Sequence, residues 1–245
     1  MIHPIANIVI QCRFSSSRLP GKAVYPLSGI PLLSFLIRRL KATLSEDDYR
    51  IIVATTQNKE DHVVAAWAEY ENVRVVRGSQ DDVLSRYILT QSVFPSDIHV
   101  RVTADNPLTC PDILKKAVNQ CRDGKTDYVH TTSFPYGAGV DVFPIDTLIY
   151  LHEHATAPPD REHINKYIFD HPEKFNLKAI EAEDKLSRPD VNLSIDTPED
   201  LNRVSGIVSF KKIPKPWRMT LIQAINYHDG LNRTRNNEHM ENTSF

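Results

Sequence analysis

Three cysteines are all the chain holds, Cys12, Cys110 and Cys121, and no two stand in a C-x-x-C pair. An odd number without that spacing signals neither a disulfide framework nor a zinc site. The ten histidines include no H-E-x-x-H or Cys/His ligand pattern, so most read as ordinary surface or core residues. No apolar run approaches the roughly 20 residues that span a bilayer, and no membrane partner is expected. The opening Met1-Ile2-His3-Pro4 lacks the basic stretch and apolar core of a secretory signal, so the expectation is a soluble cytoplasmic protein. Excess charge of one sign is missing as well: 29 Lys and Arg against 31 Asp and Glu leave a net charge of −2. That balance argues against a nucleic-acid surface built on bulk positive charge, but permits a small local anion site. The remainder is ordinary for a globular protein: 245 residues, 41% hydrophobic and 24% charged, suit one large domain or two small ones.

Two periods alternate from the start. Apolar runs at 7–12, 50–55, 73–76, 99–103 and 127–130 read as strands. Between them, 31–44, 60–70, 81–93 and 111–122 carry helical spacing, with Leu32, Leu33, Leu36, Ile37, Leu40 and Leu44 on one stripe of the first. Strands alternating with helices of that length predict an α/β fold around a mostly parallel sheet. Such sheets bind ligands beyond the carboxyl ends of their strands. From 131 to 190 the rhythm weakens, and Pro135, Pro144, Pro158, Pro159, Pro172 and Pro189 punctuate short pieces. These suggest excursions or a dimerising insert. A closing helix is expected over 198–208, a linker over 211–216, a short helix over 219–227 and a mobile polar tail from Asn232.

The loop after the first strand is the most informative stretch. Gln11-Cys12-Arg13-Phe14-Ser15-Ser16-Ser17-Arg18-Leu19-Pro20-Gly21-Lys22 sets three hydroxyls, two guanidiniums, a glycine and an amine directly behind a buried run. Backbone N–H groups and hydroxyls can cradle phosphate oxygens while Arg and Lys neutralise their charge. A solvated polar turn is the competing reading. Neither the G-x-x-x-x-G-K-[ST] loop nor the G-x-G-x-x-G fingerprint is present.

This loop resembles the R-x-G-S-x-R-L-P-G-K signature of the cytidylyltransferases that make CMP-activated sugars, a family including the CMP-Kdo, CMP-acylneuraminate and spore-coat-polysaccharide-type enzymes. The likeness continues in order through Val53-Ala54-Thr55-Thr56, Arg77-Gly78-Ser79-Gln80-Asp81-Asp82-Val83-Leu84-Ser85-Arg86-Tyr87, Arg101-Val102-Thr103-Ala104-Asp105-Asn106-Pro107-Leu108, Arg161-Glu162-His163 and Ile195-Asp196-Thr197-Pro198-Glu199-Asp200-Leu201. It is closest to the spore-coat type. The resemblance implies a Rossmann-like nucleotide-diphospho-sugar transferase sandwich, with helices on both faces of the sheet. It implies a nucleotidyltransferase domain over 1–210, a C-terminal segment over 211–245, and a homodimer. Arg13, Ser16, Ser17, Arg18 and Lys22 fall where the family grips the CTP triphosphate, and Arg77 and Ser79 near the nucleoside. Ser15 replaces the family's usual Gly; if that position needs φ > 0, Ser is strained there.

Two carboxylates, Asp105 and Asp196, fall where the family holds Mg²⁺, and a hard divalent ion suits one or two carboxylates plus phosphate oxygens. Each has a plainer reading. Asp105 could be a turn residue before Pro107, and Asp196 could precede a helix capped by Thr197 with Pro198 in its first turn. Arg161 and His163 match a segment near the family's sugar pocket, against a solvated helix start. Asp141 stands where the family usually has Glu, against a β-turn leading into a strand. No Ser-His-Asp or Cys-His nucleophile arrangement is visible. The expected activity is transfer from CTP to a sugar, acidic by the resemblance, giving a CMP-sugar and pyrophosphate for surface polysaccharide synthesis. The alternatives are transfer to a sugar phosphate or phosphonate, a GT-A-type glycosyltransferase, and a non-catalytic nucleotide-binding relative.

Overall fold

Alternate residues of β1 (Ala6–Gln11) point to opposite faces, as the pleat dictates: Ile8 and Ile10 enter one apolar layer and Val9 the other. A run buried on both sides belongs in the middle of a parallel sheet, and β1 lies there. The computed structural model describes residues 4–242, with side chains as far as Thr234. After β1 come a two-residue hairpin, β2 (Pro26–Leu27) and β3 (Ile30–Pro31), and α1 (Leu32–Lys41). Then β4 (Tyr49–Thr56), α2 (His62–Tyr70), β5 (Arg74–Gly78), α3 (Val83–Val93), β6 (Ile98–Thr103) and α4 (Pro111–Cys121) follow in alternation. The second half holds β7 (Tyr128–Thr132), β8 (Asp141–Pro144), α5 (Ile145–His154), α6 (Pro158–Glu162), α7 (Lys166–Asp170) and β9 (Leu177–Glu181). Two longer helices, α8 (Pro198–Ser209) and α9 (Leu221–Asn242), close the chain.

The main sheet has seven strands in the order β5-β4-β1-β6-β8-β7-β9. Only β8 runs against the rest, pairing antiparallel with both β6 and β7. The mostly parallel sheet expected from the alternation is therefore what forms. Stripes from α1, α2 and α4 cover one face through Leu36, Val64 and Leu114, while α3 and α5 cover the other through Leu84 and Leu148. A third cluster joins Val204 and Ile207 of α8 to Met219, Leu221 and Ile225 of the C-terminal segment. Arg39 on α1 is buried and donates to the carbonyls of Thr109 (2.7 Å), Trp217 (3.1 Å) and Met219 (2.6 Å). The helix expected over 219–227 thus packs, and it runs on to Asn242 where a polar tail was expected. No proline interrupts it after Leu221, so nothing forces the backbone to stop.

The expected helix starts shift slightly. Asp82 caps α3 by accepting from Ser85 N–H at 2.8 Å, so that helix begins at Val83. The stretch 137–143 contains the turn and strand of its plainer reading: Gly137 has φ +87° and β8 follows. Among the described residues no helix is long and apolar enough to cross a membrane. Because β1 and β6 are neighbours and parallel, the loops after their carboxyl ends, Cys12–Lys22 and Ala104–Asp105, lie side by side.

Candidate active site

The loop behind β1 is held by its own backbone and by one buried acid. Gly21 N–H donates to the Phe14 carbonyl at 2.9 Å, and Gly21 adopts φ +73°, the left-handed region that favours glycine. A side chain there would also meet the Phe14 ring at 3.0 Å. Asp61, fully buried, accepts from Phe14 N–H at 2.5 Å and from the Thr56 hydroxyl, so the loop is tied to the end of β4. Ser15 is absent from the positive-φ residues, so the strain considered for it does not arise among these described residues. Its hydroxyl is buried, faces the cleft and has no protein partner.

Lys22 follows the turn and reaches the two aspartates together. Its ammonium Nζ donates to Asp105 Oδ2 at 2.8 Å, to Asp196 Oδ1 at 2.9 Å and to the Ile195 carbonyl at 3.2 Å. Burial by itself would lower the Lys22 pKa, but Asp105 first and then Asp196 outweigh it and hold it above its ordinary value. The chain arrives at this geometry through one backbone link, Ile195 N–H to the Asp105 carbonyl at 2.8 Å. The capping reading of this region also holds, but for other atoms. Thr197 accepts from Asp200 N–H at 3.2 Å, and Asp200 accepts from Thr197 N–H at 3.0 Å. The cap uses Thr197 and Asp200 and leaves the Asp196 side chain in the cleft.

These contacts sit in a cleft of ≈ 300 Å³ lined by Arg13, Ser15, Ser16, Ser17, Arg18, Lys22, Arg86, Arg101, Asp105, Glu162, His163 and Asp196. Arg18 pairs with Asp196 at 3.0 Å while remaining mostly exposed, and Arg13 has only a 3.8 Å approach to Glu162. Cys12 lies at the floor, its thiol pushed far up by burial and so kept protonated, which denies it a nucleophile's role. Two hard carboxylate oxygens and a carbonyl already converge on one cation, a donor set that fits a hard divalent ion. Among the described residues no third acidic, His or Cys group joins them.

Other residues singled out in the sequence are placed elsewhere. Arg77 donates to the carbonyls of Thr56 and Asn58, both at 2.8 Å, and Ser79 accepts from Asp82 N–H at 3.2 Å; neither lines the cleft. Arg161 forms a two-pronged pair with Asp82, at 3.0 and 2.5 Å, fastening α6 to the start of α3. Its neighbour His163 does face the cleft. Asp141 lies opposite Arg101 in the β6–β8 register and accepts from it at 2.8 Å, with the Tyr128 hydroxyl on its second oxygen. Burial would lower the Arg101 pKa, and Asp141 more than offsets it. Arg101 and Thr103 are shared with a second cavity of ≈ 290 Å³ that also presents Asn106, Thr131, Tyr136 and Asp141.

Asp61 and Arg86 escaped the sequence reading. Asp61 carried no signal, because a single acid ahead of an amphipathic helix looks solvated. Arg86 lay inside the Arg77–Tyr87 block with no role attached to it, and it is buried.

A family model described as Cytidylyltransferase matches residues 7–226. The chain is 36% identical over 192 residues to an uncharacterised protein of Methanocaldococcus jannaschii, covering 78% of each. It is 32% identical over 203 residues to the spore coat polysaccharide biosynthesis protein SpsF of Bacillus subtilis, covering 81% of this chain and 84% of that one. Among solved structures, a cytidylyltransferase from Leptospira borgpetersenii superposes with a TM-score of 0.86 at 28% identity, covering 94% of this chain and 96% of the other.

Proposed function

The chain belongs to the cytidylyltransferase family, and on that premise we propose that it transfers the cytidylyl group of CTP to a hydroxyl of an acidic sugar, as a step in polysaccharide synthesis. The observation that carries this reading is the convergence of Asp105, Asp196 and Lys22 beside the hydroxyl- and arginine-rich loop. The acceptor oxygen forms the new bond to the α-phosphorus, the bond to the bridging oxygen breaks, pyrophosphate leaves, and the hydroxyl proton passes to water. Asp105 and Asp196 are the residues to hold Mg²⁺, which when bound supplies Lewis-acid polarisation of phosphate oxygens. Lys22 screens the two aspartates from one another in the free protein, and its ammonium can exchange from them to phosphate. Arg13, Ser16 and Ser17 have little or nothing spent within the protein and are available to orient the triphosphate in line. Arg101, fixed by Asp141 between the two cavities, is placed to position the acceptor. A transferase of this kind needs no protein nucleophile, consistent with the protonated Cys12. The spore-coat relative supports a polysaccharide destination.

Lys22→Ala is expected to weaken CTP binding by about ten- to a hundredfold, the loss of a charge-assisted contact to phosphate. CMP, which lacks the outer phosphates, should lose much less. Calorimetry with the two nucleotides checks this, and equal losses would remove Lys22 from the triphosphate. The reading as a whole is tested by melting the protein against a matrix of nucleoside triphosphates and acidic sugars, because a ligand of the native state raises its stability. CTP should raise the melting temperature more than ATP, GTP or UTP; no response to CTP would count against the assignment.

A further inference from the structure

We propose that Arg86 is the counter-charge for the pyrophosphate end of the bound nucleotide, a cation buried at the floor of the cleft to receive a polyphosphate. This deepens the nucleotidyl-transfer reading and rests on it. Arg86 is 1% exposed, yet it borders the cleft. Its protein partners are two carbonyls, Ser79 at 2.7 Å and Gln80 at 3.5 Å, both taken by one terminal nitrogen, and its Nε is buried without a partner. Among the described residues no carboxylate pairs with it. A buried cation without an anion is strongly unfavourable, and proteins keep such groups where a ligand completes them. Burial accordingly lowers its pKa, and nearby Arg13 adds to that.

The surroundings are shaped for the side chain. A Cβ at Gly78 would lie 2.9 Å from Arg86 Cγ, so the end of β5 is bare where the arginine stem passes. The second unpartnered polar atom of the cleft, the Ser15 hydroxyl, belongs to the phosphate loop. Position separates the candidate anions. Arg86 borders the same cleft as Cys12, Arg13 and Ser15 of the loop after β1, and it does not line the second cavity. The second cavity, where an acceptor carboxylate would lie, opens instead on the β6–β8 side. Arg86 therefore faces the leaving group and not the acceptor.

The plainer alternative is a clamp that fastens α3 to the Ser79 loop. Arg86→Met removes the charge and keeps the stem, while Arg86→Gln removes the charge and keeps a hydrogen-bonding amide. Each full-length variant is titrated calorimetrically with inorganic pyrophosphate, CTP and CMP, and melted without ligand. The expected result for Arg86→Met is about ten- to a hundredfold weaker binding of pyrophosphate and CTP. CMP binding should change little, and the ligand-free melting temperature should not fall. A clamp would instead lower the melting temperature and leave pyrophosphate affinity unchanged, which overturns the proposal. If Arg86→Met does not fold, Arg86→Gln decides: weaker pyrophosphate binding at an unchanged melting temperature supports the assignment, and unchanged binding overturns it. Wild type that binds neither pyrophosphate nor CTP overturns this inference together with the nucleotidyl-transfer reading. Wild type that binds pyrophosphate through Arg86 but not CTP overturns that reading alone.

Discussion

Asp196→Asn should reduce metal-dependent turnover by about a thousandfold or more, because a lost carboxylate ligand removes several kcal/mol of charge stabilisation and each 1.4 kcal/mol is a factor of ten. Asp105→Asn should do the same. Both substitutions are isosteric, and Lys22 keeps the other aspartate as its partner, so neither leaves a buried charge alone. Melting temperatures should therefore move little. Thr197→Ala provides the contrast. It breaks the cap of α8, worth about 1 kcal/mol, and should lower stability while leaving the Asp196 carboxylate in the cleft. Near-normal turnover in Asp196→Asn would mean that this stretch of chain exists for the cap alone, and the metal assignment would fall.

Deleting every residue after Phe210 should destabilise the fold severely. Met219, Leu221, Ala224 and Ile225 are all buried against α8 and its neighbours. Each large apolar side chain contributes about 1.5–3 kcal/mol by burial, against a whole-domain stability of roughly 5–15 kcal/mol. The deletion would also strip Arg39 of two of its carbonyl partners, leaving buried donors unsatisfied. Arg188 would lose Asp229, which it meets at 2.8 and 2.9 Å. Deleting only 232–245 should change little, since Asn232, Arg233 and Thr234 are exposed. Thermal melts of the two truncations check the contrast. A shorter chain, ending at Phe210, that melts like the full protein would show that α9 is an accessory. If it folds but no longer binds CTP, the triphosphate machinery extends further along the chain than the site described above.

The first half of the fold was legible because its elements are set by local periodicity. Stripes such as Leu32, Leu33, Leu36, Ile37 and Leu40 need no distant partner to be recognised. The region 131–190 was not, because β8 and β9 are short and their places depend on pairing with β6 and β7. Arg101 and Asp141 illustrate the difficulty: only the register of two antiparallel strands reveals them as a pair. Within the site, the hydroxyl- and arginine-rich loop and both aspartates stood out because they follow strands or open a helix in recognisable motifs. Asp61 and Arg86 could not, since burial of a lone charge is decided by packing that no local pattern announces. Arg161 was legible as a functional-looking cation, yet Asp82 engages it.

The central claim is that the cytidylyl group, and not a terminal phosphate, is transferred to an acceptor. CTP labelled at its α-phosphorus, incubated with Mg²⁺ and a panel of acidic sugars, follows that group directly. Label is expected in a sugar-linked CMP, formed only when an acceptor is present, with one unlabelled pyrophosphate released per product. Label recovered in CDP or in free CMP regardless of acceptor, or no consumption of CTP with any member of the panel, would contradict it.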